Sequence, residues 1–324
     1  MDVAGSDTTA FAQHVREQEA RSLSPLAVRS YETRGRDVPE VPCGLRTPFQ
    51  RDRDRIVHSK PFRRLKGKTQ VFIDPEGDHY RTRMTHTLET TAISRVVARA
   101  LWLNEDLVEA VGLGHDMGHT PFGHAGEDAL DDALQERFDR RFRHNEQSHR
   151  IARSLNLTQE VCDGILTHTG DVEPGTLEGK IVRLVDRVAY INHDIDDALR
   201  YGLLAEDDLP SAEIAMLGRT GSERIDVLVH DIVEASEREG DIAQSPEVGE
   251  AMLSLRSFMF ERVYLGPRVE PEHRRAREAV RSIFERLVAE PERLPPGDGD
   301  VAGRVTDYLA GMTDRFALAY AAAL

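Results

Sequence analysis

Apolar residues recur every third or fourth position along most of the chain, and period-two alternation is almost absent. That pattern predicts an all-α protein. The longest regular stretch is 177–204, where Ile181, Leu184, Val185, Val188, Ile191, Ile195 and Leu199 fall on one stripe. In 84–104 the stripe is Leu88, Ile93, Val96, Val97 and Leu101, with Thr85 able to cap. In 105–117 it is Leu107, Val108, Val111 and Leu113. Further helices are expected over 8–22, 52–65 (interrupted at Pro61), 123–137, 144–156, 158–168, 224–239, 247–264, 270–287 and 301–324. Gln70-Val71-Phe72 reads as a short strand and 74–78 as a turn. Three prolines and Gly44 make 36–48 a loop, so residues 1–48 read as a polar arm with little core. No linker interrupts the helices before Pro295-Pro296-Gly297, so 49–324 is expected to be one domain.

Charge changes this picture in one place. The net charge of −15 excludes a general nucleic-acid binder acting by bulk charge. Yet residues 49–83 hold Arg51, Arg53, Arg55, Lys60, Arg63, Arg64, Lys66, Lys68, Arg81 and Arg83, ten bases against five acids. This run is either a solvated, salt-bridged helix or an anion-binding wall suited to a small polyphosphate. The two cysteines, Cys43 and Cys162, make no disulfide framework, which points to the cytoplasm. No signal peptide opens the chain, and no apolar run is long enough to span a bilayer.

The chemistry gathers at His115-Asp116-Met117-Gly118-His119-Thr120-Pro121-Phe122-Gly123-His124. His115 and Asp116 offer an imidazole nitrogen and a carboxylate oxygen to a divalent cation. His119 follows one turn later and shares their face if the helix continues; Gly118 and Pro121 loosen and end that turn. Eight of the 13 histidines lie between His79 and His168, where scattered surface histidines would not cluster. His86 opens the helix before this one, and a helix pair brings it beside His115-Asp116. Asp186, Tyr190 and Asp194 recur every fourth residue beside the aliphatic stripe of 177–204. That line is either a row of salt-bridged surface groups or a ligand-facing wall.

The pattern of His86, His115-Asp116 and Asp186 resembles the HD-domain metal-dependent phosphohydrolase superfamily. Longer strings sharpen the likeness: Arg83-Met84-Thr85-His86-Thr87-Leu88-Glu89, Leu113 through Glu127, His144-Asn145-Glu146-Gln147-Ser148, Asp52 through Ser59, Phe62-Arg63-Arg64-Leu65 and Asp307 through Arg315. These are similar to the bacterial deoxyguanosinetriphosphate triphosphohydrolase (dGTPase-like) family over residues 46–316. The resemblance implies an HD-domain helical fold with a core near residues 80–200 and additional C-terminal helices over 205–324. It implies hydrolysis of deoxynucleoside triphosphates to deoxynucleoside and tripolyphosphate.

By that resemblance His86, His115, Asp116 and Asp186 ligate a divalent metal, Mg²⁺ or Mn²⁺ first, with Fe, Co, Ni or Zn as alternatives. His124 is the catalytic histidine, Glu127 its orienting carboxylate, and His119 stands with them. Arg83, His144 and Arg187 face the phosphates, while Gln70, Tyr190 and Asp194 face the sugar. A tetramer or hexamer and regulation by single-stranded DNA are further expectations; a membrane is not. Residues 204–240 carry no motif of the family, and everything beyond Leu204 reads as mostly structural. The alternatives are an HD-type deoxynucleotidase or phosphodiesterase, and a catalytically silent dNTP-binding sensor.

Overall fold

The computed structural model describes residues 10–70, 81–264, 266 and 268–324. Among them are fifteen α-helices and two isolated bridges, Arg36 with Thr158 and Thr69 with Thr82. The protein is all-α, as the periodicity requires. The strand expected at 70–72 and the turn at 74–78 lie outside the described residues, apart from Gln70, which sits in a bend. No described helix is long and apolar enough to cross a membrane.

The arm begins with α1 (Ala10–Ser22). Carboxylates strap it to the body: Glu178 accepts from Val28 N, Glu160 from Thr33 and Arg34, and Asp52 from Arg36, while Glu19 accepts from Ser30 within the arm. α2 (Pro48–His58) opens on a capping box between Thr47 and Gln50, with Pro48 in the first turn, where its missing N–H has no intrahelical partner to lose. α3 (Lys60–Arg64) starts after Ser59, which is extended and caps it through Phe62 N. The interruption thus falls two residues before Pro61, whose ring would clash with the carbonyl of Val57 in a continuous helix.

α4 (Arg83–Ala100) is capped by Thr82, with Thr85 as the reciprocal partner and not the cap itself. Its buried face also differs from the expected stripe. Leu88 and Val96 are exposed, whereas His86, Thr87, Thr90, Thr91, Ser94 and Val97 are buried. The cause is close approach to α5 (Glu105–Gly114): a Cβ at Gly112 would lie 2.7 Å from Thr91 Oγ1. Only short side chains fit between the two backbones.

There follow α6 (Gly123–Phe138), α7 (His144–Ser154), α8 (Gln159–Thr167) and α9 (Leu177–Arg200). α9 buries Ile181, Val185, Val188, Ile191 and Ile195 as the stripe predicts. α10 (Ser211–Leu217), α11 (Gly221–Glu239) and α12 (Pro246–Met259) come next, and α12 runs into one π turn, Phe260–Tyr264. α13 (Glu270–Ala289) precedes α14 (Val301–Ala310) and α15 (Asp314–Ala322). The single helix expected over 301–324 is therefore two, because Thr313 turns extended and caps α15 through Phe316 N.

α5 is the central rod, packed on α2, α4, α8 and α9. Its Leu107, Val108 and Val111 are wholly buried, each contributing roughly 1.5–3 kcal/mol. One apolar cluster runs from Phe49 and Ile56 through α5 and α9 to Leu228, Ile232, Leu255 and Met259. A second joins Leu130 and Leu134 of α6 to Val280, Ile283, Phe284, Val305 and Leu309 of the last helices.

Two side chains pin the turn before α15 to the 115–124 segment. Asp314 accepts from Phe122 N at 2.9 Å, Thr69 N at 2.8 Å and Thr69 Oγ1 at 2.7 Å. Lys68 donates to His119 O and Ala310 O. Burial, then the nearby Arg83, pushes the Lys68 pKa down to about 7. Phe122 itself is left-handed at φ 65°, a conformation an aromatic residue holds only when its surroundings fix it. Asp314→Ala strands three donors and should cost about 3 kcal/mol in urea unfolding. Asp300→Ala, which removes the α14 cap and an exposed ion pair with Arg140, should cost about 1 kcal/mol. Equal losses in the two variants would refute the pin.

Candidate active site

α4, α5 and α9 each deliver one polar piece to a common point. His86 lies in the first turn of α4, His115-Asp116 directly follows α5, and Asp186 is mid-α9. His86 Nε2 is 2.9 Å from Asp186 Oδ1. His115 Nε2 is 3.5 Å from Asp116 Oδ1 and 3.5 Å from Asp186 Oδ1. His115 Nδ1 donates to Gly112 O at 2.7 Å, so in the neutral ring Nε2 carries the lone pair. That nitrogen is buried and has no hydrogen-bond partner. A buried ring nitrogen beside two carboxylates fits a positive charge there, a proton or a cation that displaces it. Burial opposes charge on His115, yet Asp116 and Asp186 together push its pKa up to about 9. Burial would raise Asp116 too, but His115, Arg83 and His119 hold it well below the usual carboxylate range. Donor atoms of His86, His115 and Asp116 lie within 4.8 Å of one another, as do those of Asp116, His119 and His144.

The second group is built by α6 and α7. Helix α5 stops at Gly114, so His119 reaches the site from the turn after it and not from a continued helix. Gly118 does more than loosen that turn: a Cβ there would sit 2.2 Å from Ser148 N, so α7 presses directly on it. The contact stacks His119 on His144, with centroids 3.9 Å apart. Glu127 accepts from His144 N at 2.8 Å and lies 2.9 Å from His144 Nδ1, but 3.4 Å from His124 Nδ1. Glu127 thus grips His144 more closely than His124, whose side chain is 74% exposed. Burial disfavours the Glu127 carboxylate, but His144 and His124 hold its pKa far below the ordinary value. Burial, with Arg83 and His144, keeps His119 neutral.

These groups open onto a cavity of about 380 Å³. Asp186, Arg187, Tyr190 and Asp194 line one side; Gln70, Arg83, His119, His124 and His144 line it as well. His115 and Glu127 stand behind the lining and act on it through the contacts above.

Most of the basic run does not reach this cavity. Arg51 and Arg55 pair with Glu40, Arg53 with Asp54 and Glu109, and Arg81 with Glu89, Asp196 and Asp197. Of the ten bases only Arg83 lines it, with Nη1 on Asp116 at 2.9 Å and Nε buried without a partner. Carboxylates from inside and outside the run thus take up four of its arginines, Arg51, Arg53, Arg55 and Arg81.

Residues beyond Leu204 are not all structural. Leu253, Arg256, Phe260 and Tyr264 complete the cavity, with Thr169 and His168. Arg256 Nε donates to Tyr190 Oη at 2.6 Å, and Tyr264 Oη donates to Asp194 Oδ2. Burial pushes the Asp194 pKa up to about 7, against the opposing Tyr264 bond. The signal for this wall was a second line at i, i+4, i+8 (Arg256, Phe260, Tyr264) beside the buried Met252, Leu255, Met259 and Val263. His168, 3.2 Å from His144 Nε2, is one of the eight clustered histidines.

Comparison with known proteins finds similar chains. The HD domain family matches residues 83–191, and the phosphohydrolase-associated domain matches 242–323. A deoxyguanosinetriphosphate triphosphohydrolase-like protein from Caldanaerobacter subterraneus subsp. tengcongensis is 50% identical, over 93% of this chain and 92% of its own. One from Clostridium perfringens is 45% identical over 94% of each chain. A hypothetical protein from Aquifex aeolicus shares the fold, with a TM-score of 0.51 at 19% identity over 83% of this chain and 67% of that one.

After chelator treatment, Mn²⁺ at 100 times its Kd should stabilise the protein against urea by about 2.7 kcal/mol. His115→Ala should abolish that gain. A wild-type curve indifferent to Mn²⁺ would remove the cation from the site.

Proposed function

The chain belongs to the deoxyguanosinetriphosphate triphosphohydrolase-like family of HD-domain phosphohydrolases, and from that membership we propose that it hydrolyses deoxynucleoside triphosphates to deoxynucleoside and tripolyphosphate. One observation carries the reading. A single cavity has cation donors at one end and the Tyr190, Asp194 and Tyr264 wall at the other. Its volume, about 380 Å³, suits a nucleotide-sized ligand.

His86, His115, Asp116 and Asp186 would hold a divalent cation, Mg²⁺ or Mn²⁺ by the family resemblance, a set whose imidazoles also suit Fe, Co, Ni or Zn. When bound, such an ion polarises a phosphoryl oxygen and lowers the pKa of a water. The remaining work falls to the chain's own side chains. Arg83 offers the donors that Asp116 leaves free to phosphate oxygens. His119, His144 and Arg187 add donors around the phosphates. His124, oriented by Glu127, protonates the leaving 5′ oxygen. Asp194 accepts from the 3′ hydroxyl, and Gln70, whose Oε1 is buried and unpartnered, bonds the sugar. Tyr190, its hydroxyl held by Arg256, packs where a 2′ hydroxyl would project and so selects deoxyribose.

Anion-exchange analysis of products from each dNTP and from GTP, with Mg²⁺, Mn²⁺ or EDTA, tests the reaction. Tripolyphosphate with deoxynucleoside, lost in EDTA, is the expected result. Orthophosphate or pyrophosphate alone would sink it, and tight dNTP binding without turnover would mark a sensor. The sugar contact has its own signature. With a pKa of about 7, Asp194 should be the better acceptor above neutrality. KM for dNTP should therefore fall between pH 6 and 8, and Asp194→Asn should flatten the profile. An identical profile in the variant would assign that titration elsewhere.

A further inference from the structure

His193 and Glu89 do not line the cavity and have no part in the reaction described above. Each nevertheless shares a helix with a candidate ligand. Glu89 lies three residues after His86 on α4, and His193 seven after Asp186 on α9. His193 is 3% exposed and wedged between the two helices. Its Nδ1 is 3.4 Å from Nδ1 of His86, with the rings edge-on at 88°. Its Nε2 is 3.1 Å from Glu89 Oε2. Arg81 Nε holds the same carboxylate at 3.0 Å, and Arg81 Nη1 reaches Asp197 Oδ1 at 3.2 Å.

The donors and acceptors then follow in order. A carboxylate only accepts, so the His193 proton sits on Nε2 and its Nδ1 is an acceptor. Across from that acceptor stands His86 Nδ1, 3.4 Å away. Without a cation, the 2.9 Å contact with Asp186 Oδ1 places a proton on His86 Nε2. A cation held there needs that lone pair, and the ring's proton then belongs on Nδ1, where His193 accepts it. Thr90 Oγ1, 3.5 Å from His86 Nδ1, can donate or accept and so does not choose the tautomer.

We propose that Glu89 and His193 form a positioning relay that fixes the tautomer and ring orientation of His86, and that this relay sets the protein's affinity for its cation. The inference rests on His86 being a ligand, as read above. It extends the metal centre through α9 to the protein surface, where Glu89 is 42% exposed. Outer partners of ligating histidines typically carry 10–100-fold in metal affinity.

The test is Mn²⁺ affinity of the chelator-stripped, full-length protein, measured by competition with a metal-binding dye, with unfolding curves to verify each fold. His193→Phe keeps the ring volume and removes the acceptor; affinity should fall about 10–100-fold. His193→Asn, whose Oδ1 can accept from His86 where Nδ1 did, should return to within about threefold of the parent. Glu89→Gln sits at the surface and should fold even where His193→Phe does not; it should weaken Mn²⁺ measurably in the same direction. Parental affinity in Glu89→Gln and in a folded His193→Phe overturns the relay. So does a His193→Asn as weak as His193→Phe, since lost packing would then explain both. His86→Ala serves as the control: unchanged Mn²⁺ binding there removes the ligand assignment, and the relay with it.

Discussion

Two carboxylates, Asp116 and Asp186, face the same small space between α4, α5 and α9. Buried negative charge without compensation is among the costliest things a fold can hold. Much of the surrounding architecture answers that cost. Arg83 is drawn in to Asp116, and three imidazoles converge on the pair. One of them, His115, is turned so that its free nitrogen points at both carboxylates. A divalent cation would complete the compensation that Arg83 begins.

That demand explains features which packing alone would not favour. α4 buries threonines and serines where its stripe offered Leu88 and Val96, because the ligands must approach within bonding range. Gly112 and Gly118 let backbones meet where any side chain would hold them apart. Phe122 stays in a strained conformation because Asp314 takes its N–H. Such strain persists only where the neighbourhood over-determines it. Here the determinants come from the last helices, so the C-terminal segment is part of the site's frame.

The cavity's second wall follows the same logic on a longer scale. Asp186, Tyr190 and Asp194 form one polar line on α9, and Arg256, Phe260 and Tyr264 answer it from α12 and its π turn. Bonds from Arg256 to Tyr190 and from Tyr264 to Asp194 lock the two lines together. The groups that meet the sugar in our reading are thus held by one another before any ligand arrives.

Much of this was legible in the chain itself. Helical periodicity gave the all-α class and the inward face of α9, since burial of aliphatic residues every three or four positions admits few other solutions. Clustered histidines and the His-Asp pair marked the centre, because those donor types are rarely grouped without a task. Tertiary structure decided what depends on distance between remote segments. It paired Arg51, Arg53, Arg55 and Arg81 of the basic run with acids away from the cavity, and brought α12 across the cavity. It gave Glu127 to His144 more closely than to His124, and it seated His193 behind His86. Periodicity reports which face of a helix is buried; it does not report which other helix lies against that face, and it is that partner which turns a polar residue into a neighbour of the chemistry.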